Sequence, residues 1–158
     1  KRHPNALSWL PAVGFFIATP LYLLSFVMPN IWLAMLALMV AAIAHYFYLG
    51  PMYAVTQGVV EPRMRATAVA VLLFVVNLIG YGMGPPVIGA LSDFLANGQL
   101  ASAGLTTEAC STLTGNASCT AAVEVGLRWA MMIGVCGYLW AALHFLLSAR
   151  TLRRDWVA

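Results

Sequence analysis

Four long apolar stretches, at about residues 7–28, 31–57, 66–91 and 129–149, alternate with short polar or mixed segments. Each is a continuous run without period-two alternation, which predicts helices rather than barrel strands. About twenty apolar residues cross the hydrocarbon core of a bilayer, so every run is long enough to span it. The first run contains Pro11 and Pro20, which a membrane helix tolerates where neighbours satisfy the freed backbone groups. Only the turn signal Pro29-Asn30 separates it from the second run, predicting a tight antiparallel hairpin. The second run is longer than the bilayer requires and predicts a kink at Gly50-Pro51. Glu61-Pro62-Arg63-Met64-Arg65 forms the dense charge cluster between runs. Residues 92–127, rich in Ala, Ser, Thr and Gly, predict a long loop with a short helix leading into the last span. Residues 150–158 form a basic tail.

Composition supports the membrane reading. Charged residues make up 8% of the chain and hydrophobic residues 62%, whereas ordinary globular domains carry roughly 25% charge. A soluble fold could not cover its surface with so few. The expected fold is all-α and integral to the membrane, with lipids as its surroundings. The net charge of +3 is too small to suggest nucleic acid. No metal-ligand spacing, phosphate loop, or nucleophile with a base appears, so neither a metal, a cofactor nor an enzyme activity is expected. The chain opens Lys1-Arg2-His3-Pro4-Asn5 without an initiator Met, so the expectation is a cut from a longer protein.

Four crossings place both termini on one side of the membrane. Lys1, Arg2, Arg63, Arg65, Arg150, Arg153 and Arg154 fall on that side and Arg128 on the other. The positive-inside rule assigns the basic side to the cytoplasm, and the plasma (inner) membrane is the expected location. Residues 92–127 then lie outside, where disulfides persist, and Cys110 and Cys119 become a candidate pair. Cys136, inside the fourth run, reads as a small packing residue. Asn116-Ala117-Ser118 matches a glycosylation acceptor, a pattern common by chance.

The segment Tyr48-Leu49-Gly50-Pro51-Met52-Tyr53-Ala54-Val55-Thr56-Gln57 is followed by Glu61-Pro62-Arg63-Met64-Arg65-Ala66-Thr67-Ala68. Asn77-Leu78-Ile79-Gly80-Tyr81-Gly82-Met83-Gly84-Pro85-Pro86 and Gly89-Ala90-Leu91-Ser92-Asp93 then complete a pattern. This pattern resembles helices ten and eleven of the major facilitator superfamily, in its spinster-like branch. The resemblance implies that the four spans are helices nine to twelve, part of the C-terminal six-helix bundle. It implies a secondary transporter of a small organic or lipid-like solute that works by alternating access with the N-terminal helices of the same protein. The alternative is a self-contained four-span protein, a small exporter or a structural subunit. Small exporters depend on an acidic residue embedded in the membrane, and none of the five acidic residues here lies within a run.

Polar residues fall on the middle two runs, so those are expected to face inward and the outer two to face lipid. His45, Tyr46, Tyr53 and Gln57 mark one stripe of the second run. The resemblance makes it a candidate substrate surface, and an aromatic belt near the interface is the alternative for the tyrosines. Asn77 and Tyr81, four apart on the third run, read either as cavity-lining residues or as makers of an interhelical hydrogen bond. His45 is the residue deep in the spans whose ordinary pKa suits proton coupling, set against a hydrogen-bonded structural role; His144 is a weaker case. Gly80, Gly84 and Gly89, with Pro85 and Pro86, predict close helix packing and a bend. Arg63 and Arg65 are either plain topology signals or, as the resemblance implies, part of a cytoplasmic gate that receives a carboxylate at a helix N-terminus.

Overall fold

A computed structural model describes residues 5–112 and 116–157 of the chain; Lys1 and Arg2 of the basic start lie outside them. Its regular elements are helices: α1 Asn5–Val27, α2 Ile31–Tyr46, α3 Leu49–Gly58, α4 Arg65–Val75, α5 Gly84–Ser102, α6 Thr107–Thr112, α7 Ala117–Ser148 and α8 Leu152–Asp155. A 3-10 turn, Pro62–Met64, leads into α4, and a π-helical segment, Val76–Met83, joins α4 to α5. Four of the resulting continuous helices are long and apolar enough to cross a membrane: Ala6–Val27, Ile31–Gly58, Pro62–Ser102 and Ala117–Ser148.

The described chain divides into two compact units. One comprises the residues up to Asn77 together with those from Val135 onward, and the other Leu78–Gly134. In the first unit α1 turns into α2 through Asn30. Its side-chain oxygen accepts from the backbone N–H groups of Trp32, at 2.9 Å, and Leu33, at 3.3 Å. This cap satisfies two of the donors that a helix start leaves open. The two helices approach closely at Gly14, where a Cβ would lie 2.5 Å from the Ala44 carbonyl oxygen. Ala18 and Ala41 are also fully buried, so small residues line these helices, as expected where lipid removes any hydrophobic drive for association. Helix α1 also contacts α3 and the C-terminal half of α7, where Ala12, Phe15 and Ala142 form a buried cluster. The Ser8 and Ser148 hydroxyls meet at 3.1 Å.

The kink expected at Gly50-Pro51 lies about one turn earlier. Helix α2 ends at Tyr46, and the backbone N–H groups of Phe47 and Tyr48 bond to the Ala44 and His45 carbonyls, both at 3.4 Å. Pro51 explains the shift: it has no N–H to give the carbonyl four residues back, which belongs to Phe47, and its ring crowds that group. The proline itself sits in the first turn of α3, where a missing donor costs nothing.

Residues 92–127, expected to be a loop, are mostly helical. Helix α5 continues to Ser102 and α7 begins at Ala117. Ser92, Ala96 and Leu100 are buried at a spacing of four on α5, and Cys119 and Ala122 are buried on α7. A Cβ at Gly126 would lie 2.7 Å from the Ser92 carbonyl oxygen and 2.8 Å from the Ala96 nitrogen. The Ala, Ser and Gly content that suggested a loop is therefore the small-residue face of a tight helical pair. Helix α5 closes with a Schellman motif. The Gly104 N–H bonds to Ala101 and the Leu105 N–H to Leu100, at 3.1 and 2.9 Å. The φ of +69° at Gly104 is the left-handed cap that glycine adopts without penalty. Cys110 and Cys119 are joined in a disulfide with a Cα–Cα distance of 5.6 Å, and Leu105 and Cys110 pack on the cluster of Leu100, Cys119 and Ala122. Arg128, read as the mouth of the last span, lies within α7 and pairs with Glu124 at 2.7 Å.

The basic tail is also ordered by packing. Leu152 is buried, the Trp156 indole covers Gly58 where a Cβ would otherwise go, and the Val157 N–H bonds to the Gly58 carbonyl at 2.9 Å. Burial within the described chain is greatest for the first span and does not test which spans face inward in a longer protein. The apolar window of Pro62–Ser102 is not buried at all, whereas that of Ala6–Val27 is the most buried. Nor is close packing made at Gly80, Gly84 or Gly89, where an added Cβ meets nothing within 4 Å. The small residues of the third span that do pack, Ser92 and Ala96, lie nearer its end, against Gly126 of α7.

The two classes of glycine should respond differently to substitution. Gly126→Ala places a methyl against backbone atoms that cannot yield, and should cost about 1–3 kcal/mol, the usual penalty for overpacking. Gly80→Ala should change stability by no more than roughly 0.5–1 kcal/mol. Thermal unfolding of the purified protein in one detergent would rank them, and equal effects would contradict this packing.

Candidate functional site

The candidate residues of the second span lie on both sides of the α2–α3 break. His45, in the last turn of α2, enters a cluster of aromatic rings. Its centroid is 4.7 Å from Tyr138, 5.3 Å from both Tyr46 and Tyr48, 5.7 Å from Phe15 and 6.3 Å from Tyr22. The imidazole meets all five nearly edge-on, with interplanar angles of 72–88°, the arrangement that ring quadrupoles favour. Phe15, only 5% exposed, also stacks on Tyr138 at 5.4 Å and Tyr48 at 5.6 Å. The Nδ1 atom of His45 is buried without a hydrogen-bond partner among the described residues. A structural hydrogen bond at that nitrogen is therefore not what holds the ring.

Tyr46 joins the cluster from its rim and remains 59% exposed. Tyr53 is half-buried and Gln57 exposed on α3. Thus the predicted stripe splits: His45 and Tyr46 come together, while Tyr53 and Gln57 continue along α3 outside the ring cluster. Gly50 borders the break, and a Cβ there would meet nothing within 4 Å.

On the third span the Asn77 amide donates to the Leu73 carbonyl of its own helix at 2.7 Å, and among the described residues no interhelical hydrogen bond from it is seen. Asn77 is exposed, and Tyr81 is 74% exposed. Both lie in the π-helical segment Val76–Met83. The following Pro85 and Pro86, in the first turn of α5, remove the donors that the Tyr81 and Gly82 carbonyls would use in an α-helix, and the wider winding precedes them. Such π segments frequently mark functional sites.

Arg63 lies in the 3-10 turn and Arg65 opens α4. Arg63 is exposed. The Arg65 Nε is buried without a partner among the described residues. No side chain caps α4, and the 3-10 turn Pro62–Met64 runs directly into it, so the helix that carries both arginines starts at Pro62.

Comparison with known proteins decides what kind of chain this is. No protein-family model matches it. Over 97 residues, 61% of the chain, it is 35% identical to an MFS-type efflux pump of Mycolicibacterium smegmatis and covers 22% of that protein. Two crystal structures of a bacterial homolog to the human lysosomal transporter Spinster match 95% of the chain at 37% identity and a TM-score of 0.81. Both are inward-facing, one unoccupied and one occupied, and the chain covers 34% and 35% of them. The chain is a homologue of major facilitator transporters. It spans about a third of the length of the solved structures and less of the efflux pump.

In this facilitator homologue, sequence reasoning missed Phe15, Tyr22, Tyr48 and Tyr138 as partners of His45. Tyr22 and Phe15 are seven apart on α1, one face of a helix, and that spacing was the available signal. Tyr138 comes from α7, nearly a hundred positions from His45 in sequence, and no local pattern links them. The two readings of Asn77 now separate by experiment. Because its amide serves only its own helix, Asn77→Leu should alter unfolding stability by less than about 0.6 kcal/mol, the average worth of such groups in membrane proteins. A large loss of stability would restore the structural role.

Proposed function

We propose that this chain supplies helices nine to twelve of a secondary transporter, and that the whole protein moves a small organic or lipid-like solute by alternating access. The observation that carries this reading is the match, at 37% identity and over 95% of the chain, to inward-facing transporter structures. Polar Asn77 and Tyr81 lie exposed on a span with no buried window. Polar groups at membrane depth are expensive against lipid and normally face a cavity or a protein partner. In this reading His45, Tyr46, Tyr53, Gln57, Asn77 and Tyr81 line one side of the substrate cavity, and the N-terminal helices of the same protein supply the other. Gly80, Gly84 and Gly89 give those helices room to approach. No catalytic role is assigned.

The proposed topology follows the arginines: both ends of the chain and Arg63–Arg65 are cytoplasmic, and the disulfide-stapled helical pair around residues 92–127 lies outside, in the plasma (inner) membrane. Single cysteines at Met64 and Gln99, in a background without the native cysteines, test it in intact cells. An impermeant maleimide should label Gln99→Cys and spare Met64→Cys, and the opposite pattern would reverse the assignment.

Arg63 and Arg65, at the start of the third span, form the cytoplasmic gate of this proposal. The double variant Arg63→Ala/Arg65→Ala in the intact protein should shift the population toward inward-open. A coupling of typical allosteric size would change the ratio by about 5- to 150-fold. Labelling of a cavity cysteine from each side of the membrane reports the shift; an unchanged ratio leaves the arginines as topology signals. Robust uptake by this chain alone, without its proposed partner helices, would refute the reading in favour of a self-contained four-span protein.

A further inference from the structure

We propose that residues 151–157 are a latch: they hold the end of α3 through Gly58, and their release lets α3 swing about the α2–α3 break. The inference adds a moving part to the transporter reading without depending on it, because it concerns the grip of one segment of this chain on another. The sequence shows why α3 needs an outside partner at this point. A carbonyl inside a helix takes its hydrogen bond from the N–H four residues on. For Gly58 that residue is Pro62, which has no N–H to give. The Val157 N–H takes its place, at 2.9 Å from the Gly58 carbonyl oxygen.

The side chains fit the same spot. Gly58 is buried, and a Cβ there would lie 2.5–2.7 Å from the Cη2, Cζ3 and Cζ2 atoms of the Trp156 indole. The ring therefore rests against bare backbone, in a space that any larger residue at position 58 would close. The tail is shaped to reach it. Leu152, only 3% exposed, anchors the short helix α8. At Trp156 the chain becomes extended, with φ −76° and ψ 116°, which carries the indole and the Val157 N–H onto α3. A tail that served only as a topology signal would need its arginines and none of these contacts.

The other end of α3 supplies the hinge. The Phe47 and Tyr48 N–H groups make bonds of 3.4 Å there, longer than the usual range of roughly 2.7–3.2 Å. Pro51 also leaves the Phe47 carbonyl without its helical donor. Helix α3 has 10 residues and is about 15 Å long, so a modest rotation at the break moves Gly58 by several ångströms. Helix α1 touches α3 as well, and the latch is a second hold, at the end where the lever is longest. Tyr53 and Gln57 of the proposed cavity ride on this lever, and Arg63 and Arg65 follow its end, so release alters cavity and gate together.

Distances between spin labels in the intact protein test this. Labels at Gln57→Cys on α3 and Leu147→Cys on α7, in a background without free cysteines, should give one narrow distance distribution while the latch is closed. Trp156→Ala removes the indole. Gly58→Ala leaves the tail's sequence whole and pushes the indole away with a methyl, at a backbone position that is not left-handed and accepts alanine. Each variant should broaden the distribution by several ångströms. The double variant should do no more than either alone, because both open the same contact. Trypsin cleavage of the tail in detergent reports the latch itself and should quicken roughly tenfold in both variants, since cleavage follows the population of the open form. Faster cleavage with an unchanged distance would make the tail a passive cap on the fold. Unchanged cleavage, or effects that add in the double variant, would deny the shared contact. Each of these results overturns the proposal. The transporter reading is judged separately, by two-sided labelling of the cavity.

Discussion

Inside the hydrocarbon of a membrane, a backbone carbonyl that loses its helical partner has no water to replace it. The irregular features of this chain follow from that constraint. Pro51 withholds a donor from the Phe47 carbonyl, and the second span breaks at Phe47-Tyr48, where shorter-range bonds take over. Pro85 and Pro86 withhold donors from Tyr81 and Gly82, and the third span widens into the π segment Val76–Met83 just before them. Both disturbances lie beside candidate functional residues: His45, Tyr46 and Tyr48 at the first, Asn77 and Tyr81 at the second. Side chains obey the same rule. Thr19, Ser25, Thr56 and Asn77 each donate to a carbonyl on their own helix, which lets polar groups exist in apolar spans without a partner helix.

Packing between helices uses two different solutions. Where α1 meets α2, and where α5 meets α7, glycine, alanine and serine bring backbones together, because van der Waals contact is the main force available in lipid. At Gly14 and Gly126 the space for a Cβ is already taken by backbone atoms. Around His45 the solution is aromatic: rings from α1, α2, the break and α7 fill a larger gap with edge-on and stacked contacts.

The π-helical segment of the third span and its flanks use neither. Gly80, Gly84 and Gly89 leave room for a Cβ and large side chains such as Phe74 and Tyr81 are exposed, and Arg63 and Arg65 have no acidic partner among the described residues.

Much of this was legible in the order of residues. Continuous apolar runs bounded by Pro29-Asn30 and by Glu61-Pro62-Arg63-Met64-Arg65 determined four membrane helices, because span length and backbone satisfaction are local requirements. The pattern from Tyr48 to Asp93 pointed to the major facilitator relatives. Composition misled at residues 92–127: Ser, Thr and Gly disfavour a lone helix in water, yet small residues suit a close helix pair, and only the buried spacing of Ser92, Ala96 and Leu100 against α7 reveals which applies. The tail was likewise read as bare charge, although Trp156 finds Gly58 through space. Which residues gather around His45 was settled by tertiary structure alone, since Phe15, Tyr48 and Tyr138 come from different helices, and distant ring contacts leave no trace in local periodicity.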